Sequence, residues 1–246
     1  MEYLNHKITE AVCAFRFDPV QNNWDVTGIA EYYNEIKDSG FQKKQEIKPV
    51  QLSFQVKADE PPLSQNAEIK EGDLKMVFRN DDESFAILLG SNYLSFHTIN
   101  HYPGWQTFNE KLINPYIEKY FKLGYGKGLL NAQMIYINNF DIENEKKLSN
   151  YLSFVPETEL FGEGDEISHL FQSGYDISPN KRLQLKTIFN VFGPDKQKKV
   201  TLECNCIAKN DVNLDIDWSE LALDAHDGAK NAFIKIATDE FKNEIK

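Results

Sequence analysis

The feature that most constrains this fold is the alternation of apolar and polar residues along many short segments. Residues 49–57 show it most clearly, since Val50, Leu52, Phe54 and Val56 fall on one side of the chain. A period of two is typical of strands that bury one face of a sheet. Strands are likewise predicted over 8–17, 74–78, 85–89, 93–99, 129–140, 170–177, 182–192 and 199–208. Turn residues join most of these segments, which favours antiparallel sheet.

Four segments have helical spacing instead. Helices are predicted over 26–38, 105–123, 143–152 and 218–242, where apolar residues recur three and four apart. Asp25 is a candidate N-cap and Gly40 a candidate stop for the first helix. Asp217 and Glu220 form a D-x-x-E capping box at the start of the last.

The order of these elements occurs twice along the chain. The sequence therefore predicts an α+β fold with two tandem β-α-β(3–4)-α halves, residues 1–124 and 125–246. In each half an antiparallel sheet is expected to lie under a long helix, opened by Trp105 in the first and Trp218 in the second. Such a half resembles the helix-grip fold or one half of the TATA-binding-protein saddle. Gly124, Gly126 and Gly128 are interpreted as a helix stop and a flexible join.

Charge and cysteine content narrow the function classes. The net charge is −11 at pH 7, and a field of that sign repels nucleic acids and anionic membranes. The dense basic group, Lys181, Arg182, Lys186, Lys196, Lys198 and Lys199, is interpreted mainly as solvated. Three cysteines, Cys13, Cys204 and Cys206, form no disulfide framework and predict buried thiols in a reducing cytoplasm. No apolar run approaches the ~20 residues that span a bilayer.

Three sequence stretches carry a family resemblance. They are I-T-E-A-V-x-x-F-x-F at the start, Gly104-Trp105-x-x-Phe108 in the centre, and a closing pattern from Leu223-Asp224-Ala225-His226-Asp227 to Thr238. In these the chain resembles a sporadically distributed bacterial family of conserved hypothetical proteins of similar length. The resemblance implies no activity, but a patchy distribution is typical of mobile or phage-defence genes.

His226 is the weak catalytic candidate, and it joins Trp105 and Trp218 as a candidate binding residue. It shares a helix face with Phe233, Ile236, Ala237 and Phe241, where a histidine is more often a hydrogen-bonded core residue than a base. Asp224 and Asp227 are expected to point away from it.

Other polar clusters fail as metal or cofactor sites. His97 and His101 lie across a strand end, without the spacing of helical metal ligands. His6 lies near the start of the chain, and solvated pairing is expected for His169 with Asp165 or Glu166. The run 211–217 departs from a calcium loop at Ile216 and Ala222. The acidic segment with Glu157, Glu159, Glu163, Asp165 and Glu166 could bind a cation or a basic partner, but it is interpreted mainly as a solvated loop. We expect no metal and no cofactor.

These observations predict a cytoplasmic binding or interaction protein rather than an enzyme. It would recognise a protein partner or small ligand through a sheet–helix cavity or a sheet edge, and self-association as a homodimer is an open alternative. The rival hypotheses are a hydrolase or nuclease centred on His226, and nucleic-acid binding through the basic group.

Overall fold

The computed structural model describes residues 7–21, 26–47, 50–54, 67–71, 74–143, 145–154, 168–192, 197–210 and 217–245. The strands are β1 Ile8–Phe17, β2 Lys43–Ile47, β3 Val50–Phe54, β4 Ala67–Glu71, β5 Lys75–Arg79, β6 Phe85–Gly90, β7 Tyr93–Ile99, β8 Leu129–Ile142, β9 Ser168–Ser178, β10 Lys181–Phe192 and β11 Gln197–Lys209. The helices are α1 Thr27–Ile36, α2 Trp105–Phe108, α3 Asn114–Lys122, α4 Trp218–Ile236 and α5 Asp239–Glu244.

Nine of these strands form one antiparallel sheet. Their order across it is β2-β5-β6-β7-β1-β8-β11-β10-β9, while β3 and β4 pair with each other in a separate two-stranded sheet. The expectation of two tandem β-α-β(3–4)-α halves, each with its own sheet under a long helix, is therefore wrong. The resemblance to a helix-grip or saddle half does not describe this arrangement.

The strand pairing at the centre of the sheet shows why two separate halves do not form. β1 pairs with β7 on one side and with β8 on the other, so residues from 1–124 and 125–246 share one hydrogen-bonded ladder. β1 is apolar on both faces: Cys13 and Phe15 are buried on one face, and Val12 and Ala14 on the other. A strand buried on both sides belongs inside a sheet rather than at its edge.

Every described helix packs against the same face of the sheet, which we call the helix face. α1 and α3 meet it through the ring contacts Tyr32–Phe78 and Tyr120–Phe17. α4 lies over β8, β11 and β10, and α5 contacts β8 through Phe241 and Phe140. The largest buried side chains therefore lie between one layer of helices and one face of the sheet.

The helices also differ from the pattern of two equivalent halves. The predicted helix 105–123 consists of α2, a π-helical turn at Asn109–Ile113 and α3, whereas α4 is 19 residues long. Trp105 follows Gly104, whose φ is 88°, but Trp218 follows the N-cap Asp217. The predicted helix 143–152 is a single 3-10 turn at Leu148–Asn150.

Several local signals act as the sequence indicates. The Asp217 carboxylate caps α4 by accepting a hydrogen bond from the Ser219 backbone N–H, although the predicted box with Glu220 does not form. Gly40 ends the first helical segment at φ 94°. The last helical segment breaks at Ala237, and Thr238 then caps α5 by accepting from the Phe241 N–H. Among the described residues, no helix has the length and apolar character that crossing a bilayer requires.

Some predictions fall on parts of the chain outside the described residues. These are Asp25, His6, Lys196, the acidic segment with Glu157, Glu159, Glu163, Asp165 and Glu166, and the run 211–216. The backbone of His169 belongs to β9, but its side chain lies outside the description.

Candidate functional site

His226 lies at the end of a buried chain of polar groups. Its Nδ1 is 2.5 Å from the hydroxyl oxygen of Tyr136, which is 2.9 Å from the hydroxyl oxygen of Tyr102. Tyr136 projects from the centre of β8 and Tyr102 from the segment after β7, so the chain links the sheet to α4. Buried tyrosine hydroxyls need such partners, because an unpaired polar group in a core is costly.

Trp105 covers the imidazole from one side. The two rings are parallel within 5° and their centroids are 4.5 Å apart. The stack joins the start of α2 to the middle of α4, two helices that are far apart in sequence. His226 itself is only 7% exposed.

Burial decides the protonation state of this histidine. Desolvation lowers the pKa of His226 to about 4, and Lys230 lowers it further, while Asp227 opposes the shift. The ring is therefore neutral at pH 7. Burial also raises the pKa of Tyr136 and that of Tyr102 well above the ordinary value of a tyrosine, so both hydroxyl groups keep their protons at pH 7.

Asp227 lies closer to His226 than the sequence reasoning allowed. Its Oδ1 is 3.8 Å from His226 Nε2, although helical geometry was expected to point it elsewhere. At that distance the carboxylate acts on the ring through its charge rather than as a hydrogen-bond acceptor. Asp224 does point away, and it pairs with Lys181.

The three candidate binding residues do not form one site. Trp105 contacts His226, but Trp218 packs edge-on against Phe15 at a centroid distance of 6.0 Å. Trp218 begins α4 and His226 follows eight residues later, which corresponds to about 12 Å along a helix. The imidazole is buried, neutral and stacked, and these features favour a role in packing. Catalysis by His226 stays a hypothesis.

His97 and His101, the pair considered as metal ligands, lie in different surroundings. His97 Nε2 lies 2.9 Å from Ser95 Oγ, and its Nδ1 lies 3.1 Å from Glu10 Oε1. His101 is exposed beyond the end of β7. Within the described ranges, no group of three or more His, Cys, Asp or Glu side chains could hold a metal ion.

The cysteines behave as small apolar residues. Cys13, Cys204 and Cys206 are free and buried. Burial raises the pKa of Cys204 to about 12 and that of Cys206 to about 11, so both stay protonated thiols at neutral pH.

The basic group divides between the two faces of the sheet. Lys181 pairs with Asp224 and Lys198 donates to the Lys146 carbonyl, both beside the helix face. Alternation along β10 and β11 places Arg182, Lys186 and Lys199 on the opposite face. That opposite face, which carries no described helix, is the second candidate site, and we call it the polar face.

Hydrogen-bonded side chains organise the polar face. Across three strands, Gln133 Nε2 donates to Asn205 Oδ1 over 2.9 Å, and Asn205 Nδ2 donates to Gln184 Oε1 over 3.2 Å. On β7, Tyr93 has Arg16 on its ring at 5.8 Å and Lys75 at 5.0 Å. Nothing in the alternation pattern alone marks these polar ladders, because they depend on which strands are neighbours.

The polar face is basic on an acidic protein. By strand register and alternation, its described basic residues number eight: Arg16, Lys43, Lys75, Arg79, Arg182, Lys186, Lys199 and Lys209. Its described acidic residues number four: Glu10, Asp141, Asp176 and Glu203. The described residues of this face therefore carry a charge of +4, whereas all the described residues of the chain together carry −2.

Comparison with known proteins adds no assignment. No protein-family model and no curated protein matches the sequence. The resemblance to a sporadically distributed bacterial family therefore stays a hypothesis.

Proposed function

We propose that this chain is a binding protein whose polar face recognises an acidic segment of a partner protein. The observation that carries the proposal is the charge of +4 over the described residues of this face, where the described residues of the chain as a whole carry −2. A surface of opposite sign to the rest of the molecule orients an approaching acidic partner and raises its association rate.

The centre of the polar face favours protein over nucleic acid. Ile135 and Ile137 of β8 are half-buried on this face, and Ile137 lies beside Glu10 of β1 in the register, so aliphatic side chains adjoin charges. Aliphatic and charged groups together match a peptide that carries both kinds of side chain. Stacking of bases needs accessible aromatic rings. At the centre of this face the Tyr93 ring already has two cations against it, and the exposed ring of Phe192 lies at the far end of β10.

The amide ladder adds specificity to this surface. Gln133, Asn205 and Gln184 hold one another in fixed orientations across β8, β11 and β10. A partner therefore meets preorganised donors and acceptors rather than mobile side chains, which reduces the entropy lost on binding.

The test uses a displayed library of peptides rich in Asp, Glu and aliphatic residues. We expect the selected peptides to be acidic, to weaken as salt rises, and to shift amide resonances of β8, β10 and β11 rather than of α4. The double variant Lys186→Glu with Lys199→Glu should weaken binding by about tenfold or more, a loss of about 1.4 kcal/mol.

Lys230→Glu with Lys235→Glu supplies the matched control, because both lysines are exposed on α4, on the other side of the sheet. This control changes the net charge by the same amount and should leave the affinity nearly unchanged. Equal losses in the two variants would show a nonspecific charge effect and contradict the proposal. Binding of a duplex or single-stranded DNA at physiological salt, without any selected peptide, would instead favour nucleic acid.

A further inference from the structure

The strand β9 forms one end of the large sheet and has unusual properties for an edge. Among the described residues it pairs with β10 on one side only. It is 11 residues long, and three of its apolar side chains are strongly exposed: Leu170 at 67%, Tyr175 at 48% and Ile177 at 53%. A long, apolar, unpaired strand edge is a template for pairing with another chain.

The opposite edge of the sheet shows how an edge is protected. β2 is five residues long and exposed throughout, and it carries Lys43, Lys44 and Glu46. Short length and charge both prevent edge-to-edge pairing. β9 has no lysine and no proline, and its acidic residue Asp176 is bound by Arg182, whose Nε is 2.8 Å from Asp176 Oδ1.

We propose that β9 is the dimerisation edge, where a second copy of this chain pairs with it antiparallel about a two-fold axis at Ser173. In this register Phe171 lies opposite Tyr175 of the second copy, and Asp176 lies opposite Leu170 of the second copy. The pairing is self-complementary, as a two-fold interface requires. It does not depend on the proposed binding of acidic partners.

Three features of β9 fit this register. The opposed aromatic side chains form the kind of cross-strand pair that stabilises antiparallel sheets. The two Asp176 carboxylates lie about 20 Å apart along the strands, so like charges do not face each other. Ser173 Oγ is buried and has no hydrogen-bond partner among the described residues. The two-fold axis places the Ser173 hydroxyl of the second copy opposite it, which supplies a partner.

Sedimentation of the full-length chain tests the association. We expect a species of about 57 kDa at micromolar concentration, twice the 28.4 kDa of the chain. The double variant Tyr175→Lys with Ile177→Lys should sediment as a monomer. Both positions are exposed in the single chain, so lysine there leaves the fold intact. In the dimer the same lysines would face the apolar edge of the second copy, which disfavours pairing. Ile47→Lys, on the protected edge β2, is the matched control and should remain dimeric.

Oxidative cross-linking tests the register. Ser173→Cys should form a disulfide-linked dimer, because the axis places the two thiols directly opposite each other. Ile177→Cys should not, since its two copies would lie about 27 Å apart. The native cysteines are buried, so they do not compete.

The contrary outcomes are distinct. A wild-type chain that stays monomeric, or a dimer that survives both lysines in β9, would overturn the proposal. Cross-linking through Ile177→Cys in place of Ser173→Cys would overturn the register. A monomer in which an acidic peptide protects the β9 amides would show that the edge serves another partner instead of a second copy.

Discussion

At the scale of single residues, His226 shows how a histidine can occupy an apolar helix face. The imidazole has Tyr136 on one nitrogen and Trp105 against its ring. These contacts suit a neutral imidazole, which needs little hydration. A protonated imidazole in the same place would lose its hydration and would have no carboxylate hydrogen-bonded to it. Protonation of His226 should therefore work against folding.

The stability of the protein should depend on pH through this residue. The pKa of His226 falls from 6.5 to about 4 on folding, so the unfolded chain binds the proton first as the pH is lowered. Stability is complete above pH 6.5 and decreases as the pH falls to about 4, by up to about 3 kcal/mol. Urea unfolding of wild type and His226→Phe between pH 7.5 and 4.5 measures the difference.

The phenylalanine variant removes the titration and keeps an aromatic ring under Trp105. Its free energy of unfolding should fall less steeply with pH than that of wild type. Tyr136→Phe is the matched control: it breaks the hydrogen bond but leaves the burial, so most of the pH dependence should remain. Parallel pH curves for wild type and His226→Phe would show that His226 does not cause the dependence.

At the scale of elements, small residues let α4 approach the sheet closely. Its buried face includes Ala222, Ala225, Gly228, Ala229 and Ala232. At Gly228 the approach is closest, because a Cβ there would lie 2.3 Å from Cys206 Sγ and 3.2 Å from Cys206 Cβ. The contact fixes the distance between α4 and β11.

Gly228→Ala should therefore destabilise the protein, although alanine favours helices. We expect a loss of about 1–3 kcal/mol in the free energy of unfolding, the usual cost of overpacking a core. Denaturant unfolding monitored by circular dichroism measures it.

The double variant Gly228→Ala with Cys206→Ala separates overpacking from other causes. Removing Sγ makes room for the new methyl group, so the double variant should be more stable than the sum of the two single changes predicts. Additive effects would show that the close contact is not the source of the loss.

The elements also show what local patterns can and cannot predict. β1 and α1 follow their patterns closely, because apolar spacing and the turn at Gly40 are local signals. β2 was missed because Lys43–Ile47 is exposed and has no apolar alternation. The pairing of β1 with β8 was missed as well, because it joins segments more than 100 residues apart that no periodicity connects.

For the candidate sites, as for the strands and helices, local features were predictable from the sequence and long-range contacts were not. Burial of His226 followed from its helix face, but its contacts with Trp105 and Tyr136 depend on how α2, β8 and α4 meet. The basic residues were visible in the sequence, yet their division between two faces needed the register of β10 and β11. Tyr102 and Tyr136 carried no motif at all.

At the scale of the whole molecule, a single sheet separates a helix-covered face from a basic face. The helix face is covered by α1 to α5 and holds the core. The described residues of the polar face carry +4. All the described helices lie on one side of the sheet, so the basic side carries none of them.

The continuity of the sheet predicts that residues 1–124 and 125–246 unfold together. Phe15 of β1 is fully buried and contacts Phe96 on one side and Trp218 on the other, so Phe15→Ala should cost about 3–5 kcal/mol. Its effect should appear equally at both ends of the sheet, because β1 links them. Amide hydrogen exchange in β6 and in β10, on either side of the central strands, should report one coincident unfolding transition that Phe15→Ala shifts by the same amount. Two separate transitions, of which only that of the β6 amides responds to Phe15→Ala, would show instead that the two parts of the chain fold as independent units.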